Sequence, residues 1–388
     1  MRLRILHISH DALPDWRIEK SALTSVRKGH QVLFAGAKIS DSYDSKIFSK
    51  IYEINWTSKA RFGIPFYWRS VKKAFEKVLL AAKPDIVHAH NIFSAKMISE
   101  LGIPFVYDDH EYWSKTTRLL EEIEEENQAR MKSSNENFFM NQLRGAKRKV
   151  INKKLIKLWS KWEKQLVQTH PTITVSESIG RELREISGRG NNSVFVVPNF
   201  PSRLEIDSIP RPVKHIALSS VYAGGDGNNK VRFPQRNLDG FVDIFDARDV
   251  GSLRVIGWKG ISTPSSKVSY SGFLSRDEMF NELSRHSIGI MPWRKHWFHQ
   301  YVSPNKAYEY AHAGLFVMGT SSLEPVKEYL KDNCLTFGNH EEMVSQLDYF
   351  KVNLEELYNK RLKSFEFARS NLLWENYEKN ILSAYQMS

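Results

Sequence analysis

The chain has 388 residues, of which 41% are hydrophobic and 26% charged, which is room for two or three domains and excludes a largely disordered protein. Lys and Arg number 56 against 44 Asp and Glu, a net charge of +12 that points to an anionic partner. The single cysteine, Cys334, excludes an internal disulfide framework and an all-cysteine zinc site, and it fits a reducing compartment.

Short apolar runs alternate with helical patterns through the first half. Leu3 to Ser9 reads as a buried strand, Asp15 to Lys28 as a helix closed by Gly29, and Gln31 to Ala35 as the next strand. Phe66 to Ala82 has helical spacing and stops at Lys83-Pro84. Asp85 to His90 is a strand, Ser94 to Leu101 a short helix, and Pro104 to Tyr107 a strand. This alternation predicts parallel βαβ units. Residues 114 to 168 then read as one long, mostly helical region, acidic at Glu121, Glu122 and Glu124 to Glu126 and strongly basic from Arg144. Strands resume at Thr172 to Val175 and Val194 to Val197, around a helix from Glu177 to Ile186.

Three prolines, Pro201, Pro210 and Pro212, mark residues 200 to 212 as a linker. A second series follows. Its strands are His215 to Tyr222, Leu253 to Ile256, Val268 to Tyr270, Ile288 to Met291 and Leu315 to Met318. Helices are expected at Asp277 to Arg285, at Pro304 to Ala313 and from Leu354 onward. The expected architecture is α/β, with two doubly wound Rossmann-like domains at 1–204 and 205–370 and a closing segment at 371–388. Ligands of such sheets bind beyond the carboxyl ends of the strands, so the expected site is the cleft between the two domains. No stretch approaches the roughly 18 apolar residues of a membrane span. Met1 to His10 reads as a strand and not as a signal peptide, so a cytoplasmic protein is expected.

Four segments could carry chemistry. The first βα turn, His10 to Trp16, lacks G-x-G-x-x-G, which counts against a dinucleotide enzyme. His88 and His90 are two apart on a strand and share a face. Metal binding by this pair lacks a convincing third ligand spacing, so no metal is expected. Asp108, Asp109, His110 and Glu111 follow a strand, where four ionisable groups in a row suit a cleft. Ser303 to Tyr310 places Asn305 and Lys306 at a helix start, whose free N–H groups suit a diphosphate, and Glu309 on the same helix face, where it suits a vicinal diol. Gly224-Gly225 opens a glycine-rich, basic loop containing Lys230 and Arg232 and leading to Arg236.

Taken in order, these pieces resemble the family 4-like glycosyltransferases of the two-domain GT-B fold. Pro84 to His90 looks like "PDIVHAH", and Tyr107 to Glu111 is similar to "YD-HE". Ile173 to Glu177 matches "ITVSE", Pro198-Asn199 the "PN" ending the first domain, and Gly272 to Leu274 the "GF(L/V)" motif. Pro304 to Lys306, Glu309-Tyr310 and Ala313-Gly314 match "PNK--EY--AG", the most specific of the set. Trp374 to Tyr385 resembles the closing helix that crosses back to the first domain.

The resemblance implies a retaining transfer of a hexose-type sugar from a nucleotide-sugar, UDP- or GDP-linked, to a glycan or lipid-linked acceptor. It implies no cofactor and no obligatory metal. Glu309 would hold the ribose. Asn305 at the helix N-terminus, Lys306 and Arg236, with Lys230 and Gly225 of the glycine-rich loop, would hold the diphosphate. His110 would face the donor sugar, flanked by Asp109 and Glu111 as catalytic candidates. Many members carry two glutamates with seven residues between them, and here Tyr301 takes the first place. The loop before it, Trp293 to Gln300, is basic and aromatic and is a candidate for substitute contacts.

Between Arg144 and Lys164 nine cations face one acid, Glu163. Ile151, Leu155, Leu158, Trp159, Trp162 and Leu166 recur at helical spacing along this segment. They form either a core-facing stripe or, with the tryptophans at the interface, a helix resting on the anionic inner face of a membrane. A sugar-nucleotide epimerase or hydrolase on the same fold is the second reading, and a non-catalytic module binding polyanions or membranes is the third. No nucleic-acid motif is present, so nucleic acid is not an expected partner.

Overall fold

Two all-parallel sheets organise the chain. The structure, a computed structural model, describes residues 2–37, 46–131, 138–189, 193–225, 233–258 and 266–388. It divides into two compact units, one of Met1–Arg118, Ala146–Asn199 and Trp374–Ser388, the other of Leu119–Gly145 and Phe200–Leu373. The division after Asn199 falls five residues before the expected boundary at 204, and residues 119–145 group with the second unit.

The first unit holds β1 (Arg4–Ser9), β2 (Gln31–Gly36), β3 (Ile51–Glu53), β4 (Ile86–His90), β5 (Phe105–Asp109), β6 (Thr172–Thr174) and β7 (Val194–Val196). Their order is β3-β2-β1-β4-β5-β6-β7. Strands covered by helices on both faces need apolar side chains on both, which is why they read as unbroken apolar runs. The sheet reverses direction of growth between β1 and β4, the switch point where α/β sheets open a crevice. Local signals set the helices. Asp15 caps the helix Trp16–Arg27 by accepting from the backbone N–H of Arg17 and Ile18, at 2.9 and 3.0 Å. Pro65 opens the helix Pro65–Ala82, and Lys83 ends it in the left-handed conformation.

The closing segment belongs to this unit. Trp374 is 1% exposed, and its indole N–H donates to Thr24 Oγ1 at 3.0 Å. Trp374, Ile381 and Tyr385 join the cluster that contains Ile5, Ile18 and Ile86.

The second unit holds β8 (Ser219–Ala223), β9 (Ser252–Ile256), β10 (Val268–Tyr270), β11 (Ile288–Met291), β12 (Phe316–Thr320) and β13 (Cys334–Phe337), in the order β10-β9-β8-β11-β12-β13. Here the switch point lies between β8 and β11. The helix Asn305–His312 packs closely on β11 because Gly289 has no Cβ. A Cβ there would lie 2.3 Å from the Tyr310 ring. The Tyr310 hydroxyl in turn accepts from the Ala223 N–H at 2.8 Å.

Several expectations are corrected. The strand expected from His215 begins at Ser219, where pairing to β9 starts, and Ile216 is fully exposed. Two short strands were not expected, β3 and β13: no residue of β3 and only Phe337 of β13 is fully buried, so neither has the apolar run of a strand covered on both faces. Pro304 caps the helix that starts at Asn305 and is not its first residue. The expected linker contains a helical turn, Arg203–Ile206, closed by a capping box between Ser202 and Glu205.

The long helical region forms two helices, Trp113–Met131 and Phe138–Thr169. In the second, Leu155, Trp159, Trp162 and Leu166 are buried. The tryptophans therefore pack into the first unit and are not interface anchors. The side chains of Arg144, Lys147, Arg148 and Lys149 lie outside the described residues.

Candidate functional site

In the first unit, strand register gathers a histidine cluster at the switch point. His7 on β1 lies beside His88 on β4, and His90 on β4 lies beside Asp108 on β5. The two-residue period puts His88 and His90 on one face, their rings stacked with centroids 4.4 Å apart, and His7 stacks on His88 at 4.8 Å. His7 Nδ1 and His90 Nε2 share a hydrogen bond of 3.0 Å, and His90 Nδ1 and His110 Nε2 one of 2.9 Å. Three of these rings are sealed from solvent, whereas His110 is 13% exposed.

Asp108 anchors the cluster. Arg17 donates to its Oδ1 from Nε at 3.2 Å and Nη2 at 2.7 Å, and His88 Nε2–H donates to its Oδ2 at 3.1 Å. His88 Nδ1 then accepts from the Tyr385 hydroxyl at 2.7 Å. Burial opposes ionisation of Asp108. The Arg17 guanidinium, the nearby His110 and the hydrogen bond from His88 outweigh it and hold the carboxyl well below its usual range. Burial pushes His7, His88 and His90 below the usual histidine value, so all three are neutral.

Asp109 turns to the opposite side of the strand. It accepts from the Tyr107 hydroxyl at 2.6 Å, and burial followed by the nearby Glu163 pushes its carboxyl well above the usual range. It is thus separated from His110. Glu111 is exposed beside His110. Glu163 itself is buried, held by the Ser114 hydroxyl at 2.6 Å, and burial pushes it up to about 7.

Two groups in this cluster offer ligand atoms within 4.8 Å of one another: His7, His88 and His90, and His90, Asp108 and His110. These are the described residues of the first unit that could hold a metal ion. Sequence reading found His88, His90 and His110. It missed His7, Arg17 and Tyr385, whose only signal is position, His7 on the first strand and Arg17 at the second position of the first helix.

In the second unit, the groups lie beyond the carboxyl ends of β8 and β11. Lys306 sits over the rings of Tyr222 and Trp293, at 4.7 and 4.8 Å from their centroids. Arg236 lies over the same Trp293, at 5.9 Å. One indole therefore brings together two cations that are 70 residues apart. His299 sets the Arg236 turn. Its Nε2–H donates to the Gln235 carbonyl at 2.6 Å, and its Nδ1 accepts from the Ser322 hydroxyl at 2.7 Å. Burial lowers the His299 value to about 4, so this tautomer stays neutral. Gly225 is exposed just past β8, Asn305 is exposed at the helix start, and Lys230 lies outside the described residues.

Glu309 is 9% exposed and accepts from Arg276 Nη1 at 2.8 Å through Oε1. Arg276 Nη2 reaches Glu205 at 2.6 Å. Nothing in the sequence spacing marks Arg276 as the partner of Glu309. The basic loop folds as a turn, Trp297–Tyr301. His296 Nε2 and the Trp297 indole N–H both meet Glu122, at 2.9 and 2.7 Å. Beside it lies a cavity of about 350 Å³ lined by Lys295, His296, Trp297, Gln300, Ser322 and Glu324. Tyr301, at the place of the first glutamate, is buried and does not line this cavity.

Residues 22–200 match the family model described as Glycosyltransferase Family 4. No curated protein sequence matches the chain. Among solved structures, a sucrose-phosphate synthase from Thermosynechococcus elongatus superposes with a TM-score of 0.70 at 11% identity, covering 99% of this chain and 98% of that one. A glycosyltransferase from Rickettsia africae gives 0.64 at 13% identity, with 99% and 98% covered. Anabaena HepE, solved in complex with UDP-glucose, gives 0.63 at 11% identity, with 99% and 100% covered. At these identities the likeness concerns the fold. Residues 22–200 are thus similar to the family 4 glycosyltransferases, and over its whole length the chain has the two-domain GT-B fold of these structures.

Proposed function

We propose that this protein is a retaining glycosyltransferase that moves a hexose from a nucleotide-sugar to a glycan or lipid-linked acceptor. The observation that carries the reading is the pairing of Lys306 and Arg236 on one indole, on the same unit as the helix N-terminus at Asn305 and the acid Glu309. Glycosyl transfer leaves negative charge on the departing diphosphate. Two fixed cations and a helix N-terminus stabilise that charge without reorganising during the reaction. Glu309, with Oε1 held by Arg276, offers Oε2 to a ribose hydroxyl. His110, the one cluster member open to solvent, is the group that contacts the sugar, and the Arg17–Asp108 pair orients it. The UDP-glucose complex of the Anabaena neighbour supports a nucleotide-sugar ligand. In this reading the cationic side chains do the work of a metal, and transfer continues in the presence of a chelator.

Calorimetric titration with UDP and GDP tests the site. The parent protein binds one of them, and Glu309→Ala weakens that binding by about tenfold or more, as expected for loss of a charge-assisted hydrogen bond. Unchanged affinity overturns the assignment of Glu309. Incubation with the nucleotide-sugar, with and without acceptor, tests the reaction, since an epimerase needs no acceptor.

A further inference from the structure

We propose that the turn at residues 62–66, together with the lysine face of the helix Phe138–Thr169, is a docking surface for an anionic lipid bilayer. The proposal stands on the first unit alone and does not depend on the catalytic reading.

Within five residues the turn exposes Phe62, Ile64 and Phe66, at 46, 40 and 76%. Isolated exposed apolar side chains are ordinary, but three at alternate positions of one turn form a protruding apolar knob. The turn is held in place. Gly63 takes φ +67, and the position of its missing Cβ lies 3.4 Å from Leu158 Cδ2. One turn further on, the Trp68 ring packs on Trp162 with centroids 5.3 Å apart. The knob therefore abuts the long basic helix at Leu158 and Trp162.

That helix presents two different faces. Leu155, Trp159, Trp162 and Leu166 of its apolar stripe are buried, while Lys153, Lys154, Lys157, Lys161 and Lys164 are all exposed at helical spacing. Glu163, the only acid in that stretch, is buried on the other side and adds no charge to the lysine face. Lys59, Arg69 and Lys73 are exposed around the turn, with Lys59 Nζ placed 3.1 Å from the Tyr67 hydroxyl. Aromatic and aliphatic side chains ringed by lysines match an anionic bilayer surface, where the apolar tips enter the headgroup boundary and the cations meet the lipid charge. The apolar members are supplied by the 62–66 turn and not by the tryptophans of the helix.

The test is flotation of the full chain with phosphatidylcholine vesicles, with and without phosphatidylglycerol. The protein is expected to float with the anionic vesicles, to release as salt rises, and to stay behind with the neutral ones. The triple variant Phe62→Ser, Ile64→Ser, Phe66→Ser lowers partitioning by about tenfold or more. Lys157→Glu with Lys161→Glu lowers it by a similar factor, since one cation near the surface is worth about fivefold. Phe66→Ser alone, at the most exposed position, gives a smaller loss and serves if the triple variant fails to fold. Absence of binding to anionic vesicles overturns the proposal. So does full retention of binding in a folded turn variant, which would mark simple polyanion attraction by the lysines.

Discussion

Removing one side of the Arg17–Asp108 pair should destabilise the first unit more than removing both. Asp108 is 1% exposed and Arg17 7%, so neither charge can turn to water when its partner is lost. Asp108→Leu strands Nε and Nη2 of Arg17 and the His88 N–H, leaving Arg17 only the Val197 carbonyl and Asn199 Oδ1, both at 2.8 Å. Breaking a buried pair in this way costs about 3–5 kcal/mol. For a unit of this size each kcal/mol lowers the melting temperature by about 2–4 °C, so a fall of roughly 10 °C is expected. Arg17→Met should fall comparably at pH 7. The double variant should recover part of the loss, with a coupling of about 1–3 kcal/mol.

Acidity adds a second signature. In the parent protein the folded Asp108 carboxyl is held below its unfolded value. Its contribution is present above the unfolded value and is lost only as pH falls through the depressed folded one. In Arg17→Met the cation is gone and burial dominates, so the folded value rises above the unfolded one. That variant should therefore regain stability relative to the parent as pH falls from 7 towards 4. Scanning calorimetry of the four proteins at both pH values is the assay. Strictly additive single effects, or an Arg17→Met deficit that does not shrink in acid, would refute the reasoning.

Glu163 titrates near 7 in the folded protein and near 4.3 when unfolded, so its protonated form favours folding below the unfolded value, and that contribution is lost as pH rises through 7. Glu163→Gln should flatten the fall in melting temperature between pH 5 and 8, and an unchanged slope would show that another group is responsible. Gly289→Ala forces a Cβ to within 2.3 Å of the Tyr310 ring, an overpacking of about 1–3 kcal/mol. Because Tyr310 shares its helix with Lys306 and Glu309, weaker nucleotide binding should accompany the lower melting temperature. Gly314→Ala, at φ +78 with its Cβ 2.4 Å from Pro212 Cγ, should destabilise the second unit, as read by the same melting assay.

The βαβ rhythm was legible because a parallel strand covered on both faces is mostly apolar, as in Val32 to Ala35 or Ile288 to Met291. Local chemistry also showed where elements end, as at Lys83-Pro84. The short strands β3 and β13 escaped notice because their faces are only partly covered, which leaves no continuous apolar run. His110, Lys306 and Glu309 were legible as residue types at strand ends and at a helix start. Their partners were not. Arg276 is 33 residues from Glu309, and Asp108 is 91 from Arg17.

Which residues occupy the strand ends followed from linear order alone, since period and punctuation are properties of neighbours along the chain. Which of them touch was decided by register and packing. His7 meets His88 because β1 lies beside β4, Trp293 collects Lys306 and Arg236 because loops from two strands converge, and the tryptophans of the basic helix face inward. A helical stripe has the same spacing whether it faces a core or a bilayer, and only the surfaces packed against it distinguish the two.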